Sequence, residues 1–248
     1  MSNETMQPDP VPWPASAEEL ERVQWELGRA APAAWPIPPP GSAPVRIAAC
    51  FVCFGRGGGG PGACGDRGWA GAAVLANGRI EAVARTSGTA RSGYDPGHLA
   101  LREGPLLEAA ILALPIRPDI LLVNATGHDH PRRAGLALHL GARLGLPSVG
   151  VTNRLLAATG AWPADEPWAR SPIRLREGTV GYWVRTRRGT RPLAVHAGWR
   201  TDAETAVEIV RTCIVRARTP EPLRAARRAA REARERDRHG GSSCPRPE

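Results

Sequence analysis

Apolar and polar positions are most regularly ordered between residues 119 and 156, DILLVNATGHDHPRRAGLALHLGARLGLPSVGVTNRLL. The run ILLV reads as a buried strand and GHDHP as a polar loop. HPRRAGLALHLGARLG reads as a helix with apolar residues three and four apart, and LPSVGVT as a second buried strand. Upstream, SAEELERVQWELGRAA predicts a helix over 16–31, with Ser16 as N-cap and acids in its first turn. The proline-rich connector after it suits neither a helix nor a central strand. VRIAACFVCF (45–54) predicts a strand, and WAGAAVLA and RIEAVARTSG flank Asn77-Gly78 as a hairpin. The chain turns at Pro96-Gly97 and enters a helix at about Leu99. Residues 160–178 hold three prolines and predict an irregular loop. GTVGYWVRTRRGTRPLAVHAG predicts a hairpin, and TDAETAVEIVRTCIVRA a helix N-capped by Asp202. EPLRAARRAAREARERDRHG predicts an arginine-rich helix whose interleaved Arg and Glu form a solvated charged face.

The order is β-β-β-α-β-α-β, then β-β-α and a terminal helix. It predicts an α/β fold, a mixed sheet flanked by helices, in a single domain over residues 16–218. Residues 1–15 are expected to be disordered, and 219–248 to form the arginine-rich helix and a polar tail.

Composition narrows the classes of function. A chain of 248 residues supports one substantial core. No apolar run reaches membrane-spanning length, and the N-terminus lacks the basic start and apolar stretch of a signal peptide, so a cytoplasmic monomer is expected. Every strongly basic residue is arginine, and the net charge is +9. Ten arginines face five acids from Arg216 onward, so about half of that excess belongs to the tail. Charge therefore permits a polyanionic partner without demanding one. The five cysteines are an odd set and predict free thiols. Cys50 and Cys53 have metal-knuckle spacing, with Cys64 as a potential third ligand, but on a strand they would point to opposite faces and serve as small core residues. The glycine run in 55–68 lacks the Gly-Lys-Ser/Thr of a phosphate-binding loop.

Taken together, several segments resemble endonuclease V, a repair nuclease family that cuts near deoxyinosine. They are AEELERVQWELGRAA, VRIAACFVCF, YDPGHLALREGP, PDILLVNATGHDHPRRAGLALHLGARLGLPSVGVTNRLL, RPLAVHAGWRTDAETA and RTPEPLRAARRA, colinear from about residue 13 to 230. The resemblance implies a ribonuclease H-like fold and a DNA or RNA partner. It also implies three carboxylates that hold Mg²⁺ or Mn²⁺. Chemically, two such ions clamp the attacking and leaving oxygens of a phosphodiester and need several anionic oxygens around them.

Carried over residue by residue, the resemblance is incomplete. The first-strand aspartate falls on Phe51, the helix glutamate on Glu103, the second-strand aspartate on Asn124, a lysine on Asn153 and a histidine on Trp199. Glu103 is the only retained carboxylate. It is either a surviving catalytic ligand or a helix-start acid favoured by the macrodipole. A site lacking two carboxylates is expected to bind divalent metal weakly, with Phe51 filling the ion's space and Trp199 either stacking a base or plugging the same pocket. Asp129, with His128 and His130, offers either a rebuilt metal site or ordinary loop hydrogen bonding. Tyr94 resembles the wedge that fills the gap left by an extruded base, or anchors its own turn. His130, Arg132 and Arg133 are candidate nucleic-acid contacts, the two arginines opening a helix beside the cleft. Three functions follow: a catalytically impaired nucleic-acid-binding protein, an active metal-dependent nuclease on a reorganised site, or a protein-interaction scaffold.

Overall fold

The computed structural model describes residues 13–39, 42–55, 62–176 and 178–240. Helix α1 (Ala17–Arg29) comes first, then strands β1 (Ile47–Phe54), β2 (Arg67–Ala76) and β3 (Arg79–Thr89). Next are α2 (Leu99–Leu112), β4 (Ile120–Val123), α3 (Leu136–Leu144) and β5 (Ser148–Thr152). The chain closes with β6 (Arg170–Leu175), β7 (Gly178–Val184), β8 (Leu193–Ala197), α4 (Ala203–Thr212) and α5 (Glu221–Gly240). Both predicted N-caps form: Ser16 Oγ accepts from Glu19 N–H, and Asp202 accepts from Thr205 N–H.

The strands build one sheet in the order β3-β2-β1-β4-β5-β8-β7-β6. Only β1–β4 and β4–β5 pair in parallel; the remaining pairs are antiparallel, giving the mixed sheet read from the sequence. Strand alternation sorts side chains between two layers. Ala48, Cys50 and Val52 of β1, with Leu121 and Val123 of β4, face α2 and α3, and Leu20 of α1 joins that cluster. Ile47, Ala49, Ile120 and Leu122 face the other way, against Val207 and Val210 of α4 and Leu223 of α5. No helix among the described residues is long and apolar enough to cross a membrane.

Four expectations change. Residues 170–175, expected within a loop, form edge strand β6, where Pro172 pairs with Tyr182. An edge position tolerates the missing N–H of proline, so the prolines did not exclude a strand. Helix α3 begins at Leu136 rather than at His130, because Arg133 takes a left-handed backbone (φ 59°) that no α-helix admits. The segment expected to be disordered ends in an anchor. Residues 1–12 lie outside the described residues, but the Trp13 ring is buried, stacks on His139 at 4.7 Å and donates from Nε1 to Glu108 at 2.6 Å. Gly104 makes room for it, since a Cβ there would collide with the indole.

Helix α5 is the fourth. Its outer face is charged as predicted, but Ala225, Ala226, Ala229 and Ala230 are buried against β1, β2 and β3. It is a layer of the fold rather than an appendage. Small residues bring it close: Gly71 of β2 lies beneath Ala226 and Ala230, where a Cβ would meet backbone atoms. Gly71→Ala is therefore expected to force α5 off the sheet and destabilise the protein by about 1–3 kcal/mol, checked by chemical denaturation.

Candidate nucleic-acid cleft

Parallel strands expose their chemistry at their carboxyl ends. Here β4 ends at Val123 and β5 at Thr152, and a cavity of about 460 Å³ opens beyond them. Asn124, Ala125 and Thr126 line its floor, the turn Tyr94–Gly97 one wall, and residues 152–156 the other.

Buried polar groups hold both walls. Arg102 is buried with its guanidinium 4.0 Å from the Phe54 ring centroid. It donates to the Ala63 and Ser92 carbonyls at 2.7 and 2.9 Å and pairs with Asp66 at 2.6 Å. That pairing holds the Asp66 carboxyl below its usual range. Arg102 thus ties down the residues just before Tyr94, whose own N–H donates to Gly62 O at 3.1 Å. The Tyr94 side chain stands on the rim, 47% exposed. Opposite, Asp129 is fully buried. Its two oxygens accept the N–H groups of Leu156, Ala157 and Ala158 at 2.9, 2.8 and 2.7 Å. It builds the second wall and has no oxygen aimed into the cleft for an ion.

His130 and Arg132 are spent in the same way. Gly97 O lies 3.1 Å from His130 Nε2, and Arg132 N–H donates to His130 Nδ1. Burial pushes this histidine down to about 4, so it is a neutral spacer under the Tyr94 turn. Arg132 donates from Nε to Gln24 at 2.7 Å and pairs with Glu21 at 3.2 Å, latching α1 to that turn. His98 strengthens the latch by bridging Asp95 and Glu21. Arg133 sits in the tight turn before α3, where its carbonyl meets His128 Nδ1 at 3.0 Å.

Phe51 and Trp199 are not brought into the cleft. β1 is regular through Phe54, so Phe51 and Cys50 face opposite layers. Phe51 packs toward α5, with the Arg227 guanidinium 4.9 Å from its ring centroid. It is Cys50 that faces the α2 layer, close enough for Glu103 to help push its thiol up to about 12, after burial. Glu103 is half-buried, and burial raises its carboxyl to about 7 against the opposing charge of Arg102. Phe51 therefore does not fill an ion's place beside Glu103. Trp199 is displaced further. It follows β8, exchanges hydrogen bonds with Ser148 at the opposite end of β5, and lines a separate cavity with Leu27, Ala30 and His128. No common plug of Phe51 and Trp199 exists. Asn124 and Asn153 do reach the cleft, and Arg218 donates to Asn153 Oδ1.

These donors do not fit a divalent cation. Mg²⁺ needs several hard, anionic oxygens in near-octahedral array. The cleft offers two neutral amides, one of them engaged by Arg218, while Glu103 has no second carboxylate beside it. Among the described residues no three His, Cys, Asp or Glu stand close enough to hold an ion together.

A family model for endonuclease V matches residues 64–228. Endonuclease V of Roseiflexus sp. (strain RS-1) is 36% identical over 219 residues, which span 87% of this chain and 92% of the relative. The chain belongs to the endonuclease V family. The crystal structure of endonuclease V from Streptomyces avermitilis matches with a TM-score of 0.80 at 32% identity, covering 91% of this chain and 96% of that one. Endonuclease V of Ciona intestinalis, solved with a 24mer DNA containing an inosine followed by a ribo-adenosine, shares the fold at 20% identity. Its TM-score is 0.67, over 89% of this chain and 98% of that one. The family's ribonuclease H-like fold agrees with the sheet described above.

Several residues that shape the site were not singled out in the sequence. Arg102 lies beside Glu103 in LREGP, and a lone arginine in an apolar helix is the signal that could have found it. His196, fully buried in β8, lies 2.9 Å from Thr152 Oγ1. Thr152 gives its proton to Arg154 O, so His196 Nε2 is the donor. Nothing in the sequence pattern marks it.

Two consequences are measurable. Asp129→Ala leaves three N–H groups without their acceptor, that of buried Ala158 among them, and is expected to cost about 1–3 kcal/mol, read by denaturation. Burial also depresses His130, His139 and His196 to about 4. Below pH ~6.5 the unfolded chain takes up protons that these folded histidines refuse, so stability falls as pH drops toward 4. Glu103, raised to about 7, works in the opposite sense below that pH, but it is one group against three. Melting temperature is thus expected to fall from pH ~7 to pH ~5, by calorimetry.

Proposed function

We propose that this family member binds an inosine-type base of a nucleic-acid strand in the cleft beside Tyr94 and is impaired in phosphodiester cleavage. One observation carries the reading: the cleft and its rim aromatic are built by dedicated buried contacts, while Glu103 stands alone, Asn124 being an amide and Phe51 facing α5. Arg102, His130, Arg132 and Asp129 all serve to hold the walls of the cleft. Such investment in buried polar groups supports a defined shape with a ligand to receive. The Ciona relative, bound to inosine-containing DNA, supports the class of ligand. An active nuclease assembled from Glu103, Asp129 and His130 is disfavoured, because Asp129 and His130 already have their hydrogen-bond partners.

The test is cleavage of deoxyinosine-containing DNA, and of inosine-containing RNA, with Mg²⁺ and then Mn²⁺ at high protein excess. Each run is paired with Glu103→Ala and with a binding measurement. Binding without Glu103-dependent cleavage is expected. Tyr94→Ala should weaken binding about tenfold, since stacking on one aromatic contributes ~1–3 kcal/mol per base. Cleavage that disappears in Glu103→Ala would establish a working nuclease instead.

A further inference from the structure

Phe51, where the resemblance implied a carboxylate, and Asn153, where it implied a lysine, each have an arginine against them. Arg218, on the loop between α4 and α5, donates to Asn153 at the edge of the cleft. Arg227, on α5, lies over Phe51. The parallel register of β1 with β4 ends with Cys50 opposite Val123, and Phe51 and Asn124 are the residues that follow that last pair. Arg191, whose guanidinium is 5.4 Å from the Trp162 ring centroid, lies near enough to act on Arg218. Burial lowers the Arg218 pKa, and the charges of Arg191 and Arg227 lower it further, so two other cations press on Arg218.

Such crowding is normally relieved by carboxylates. Arg102 and Arg143 are each met by one, Asp66 and Glu108. Among the described residues no carboxylate pairs with Arg191, Arg218 or Arg227. The Nε atoms of Arg218 and Arg227 are buried and have no hydrogen-bond partner. Guanidinium groups held by a fold without a carboxylate partner are matched by phosphate, which accepts two parallel N–H groups and neutralises the charge.

We propose that Arg218 and Arg227, assisted by Arg191, form a metal-independent site for a backbone phosphate of the strand whose base enters the cleft. This rests on the nucleic-acid reading above and gives that site its anchor. Where the family resemblance implied carboxylates gathering cations to hold the strand, fixed cations hold it directly. Such a site grips the phosphodiester without supplying a metal-activated nucleophile.

The experiment is fluorescence anisotropy with a single-stranded deoxyinosine oligonucleotide, in EDTA and in Mg²⁺, between about 50 and 200 mM salt. Wild-type binding is expected to persist in EDTA, with no gain on adding Mg²⁺. In Arg218→Gln/Arg227→Gln the slope of log affinity against log salt should become shallower by about 0.7 for each phosphate no longer neutralised. Arg218→Lys/Arg227→Lys keeps the charges and should keep the slope. If the double glutamine variant fails to fold by circular dichroism, Arg218→Gln alone, on a loop, reads the same effect at half size. An unchanged slope in the glutamine variants, or binding that requires Mg²⁺, overturns this proposal and leaves the nucleic-acid reading standing. Absence of any wild-type binding overturns both.

Discussion

The alternation of one central strand decides the chemistry of this molecule. β1 is covered on both faces, by α2 on one side and α5 on the other. A residue on it must therefore choose a layer, and its neighbours must choose the opposite one. Cys50 takes the α2 side with Glu103, and Phe51 takes the α5 side with Arg227. Because β1 pairs with β2 without interruption to Phe54, no bulge lets both residues look the same way. Glu103 is left beside a thiol that burial keeps protonated, and the aromatic ring supports an arginine. Neutral and cationic groups thus occupy the ground that the family resemblance assigned to anions.

Around that strand, the cleft is shaped by buried polar groups used as rivets. Arg102 fixes the loop before Tyr94, Arg132 ties α1 to the turn after it, and Asp129 gathers the three N–H groups of the opposite wall. Each is costly to desolvate alone and stable only when fully hydrogen-bonded. Such groups specify position better than apolar packing does, because a small displacement leaves a buried donor or acceptor unmatched. Charged residues of this cleft are for that reason mostly structural.

The sequence made much of the fold legible where a local rule acts alone. Ser16 and Asp202 cap their helices, Asn77-Gly78 turns its hairpin, and the apolar runs ILLV and SVGV become the two parallel strands. Where tertiary context overrides a local signal, the reading failed. Pro172 looked like a loop marker because nothing local says that its strand lies at an edge. The apolar spacing after His130 looked helical because a left-handed Arg133 cannot be read from its neighbours. The resemblance placed the site residues in sequence but not in space. Phe51 and Trp199 depended on which face, and which end of a strand, each would occupy. Arg218 and Arg227, distant in sequence from the cleft, could be found only once α5 was seen crossing the sheet.

That crossing also bears on how the protein is made. α5 is the last helix in the described chain, and it covers β1, β2 and β3, which are among the first strands to leave the ribosome. Until residues 221–240 emerge, one face of those strands has no cover, and its alanines and Phe51 stand open to water and to other nascent chains. Docking of α5 is therefore a late step in completing the fold, and a product stopped short of α5 would be a sheet with an adhesive side.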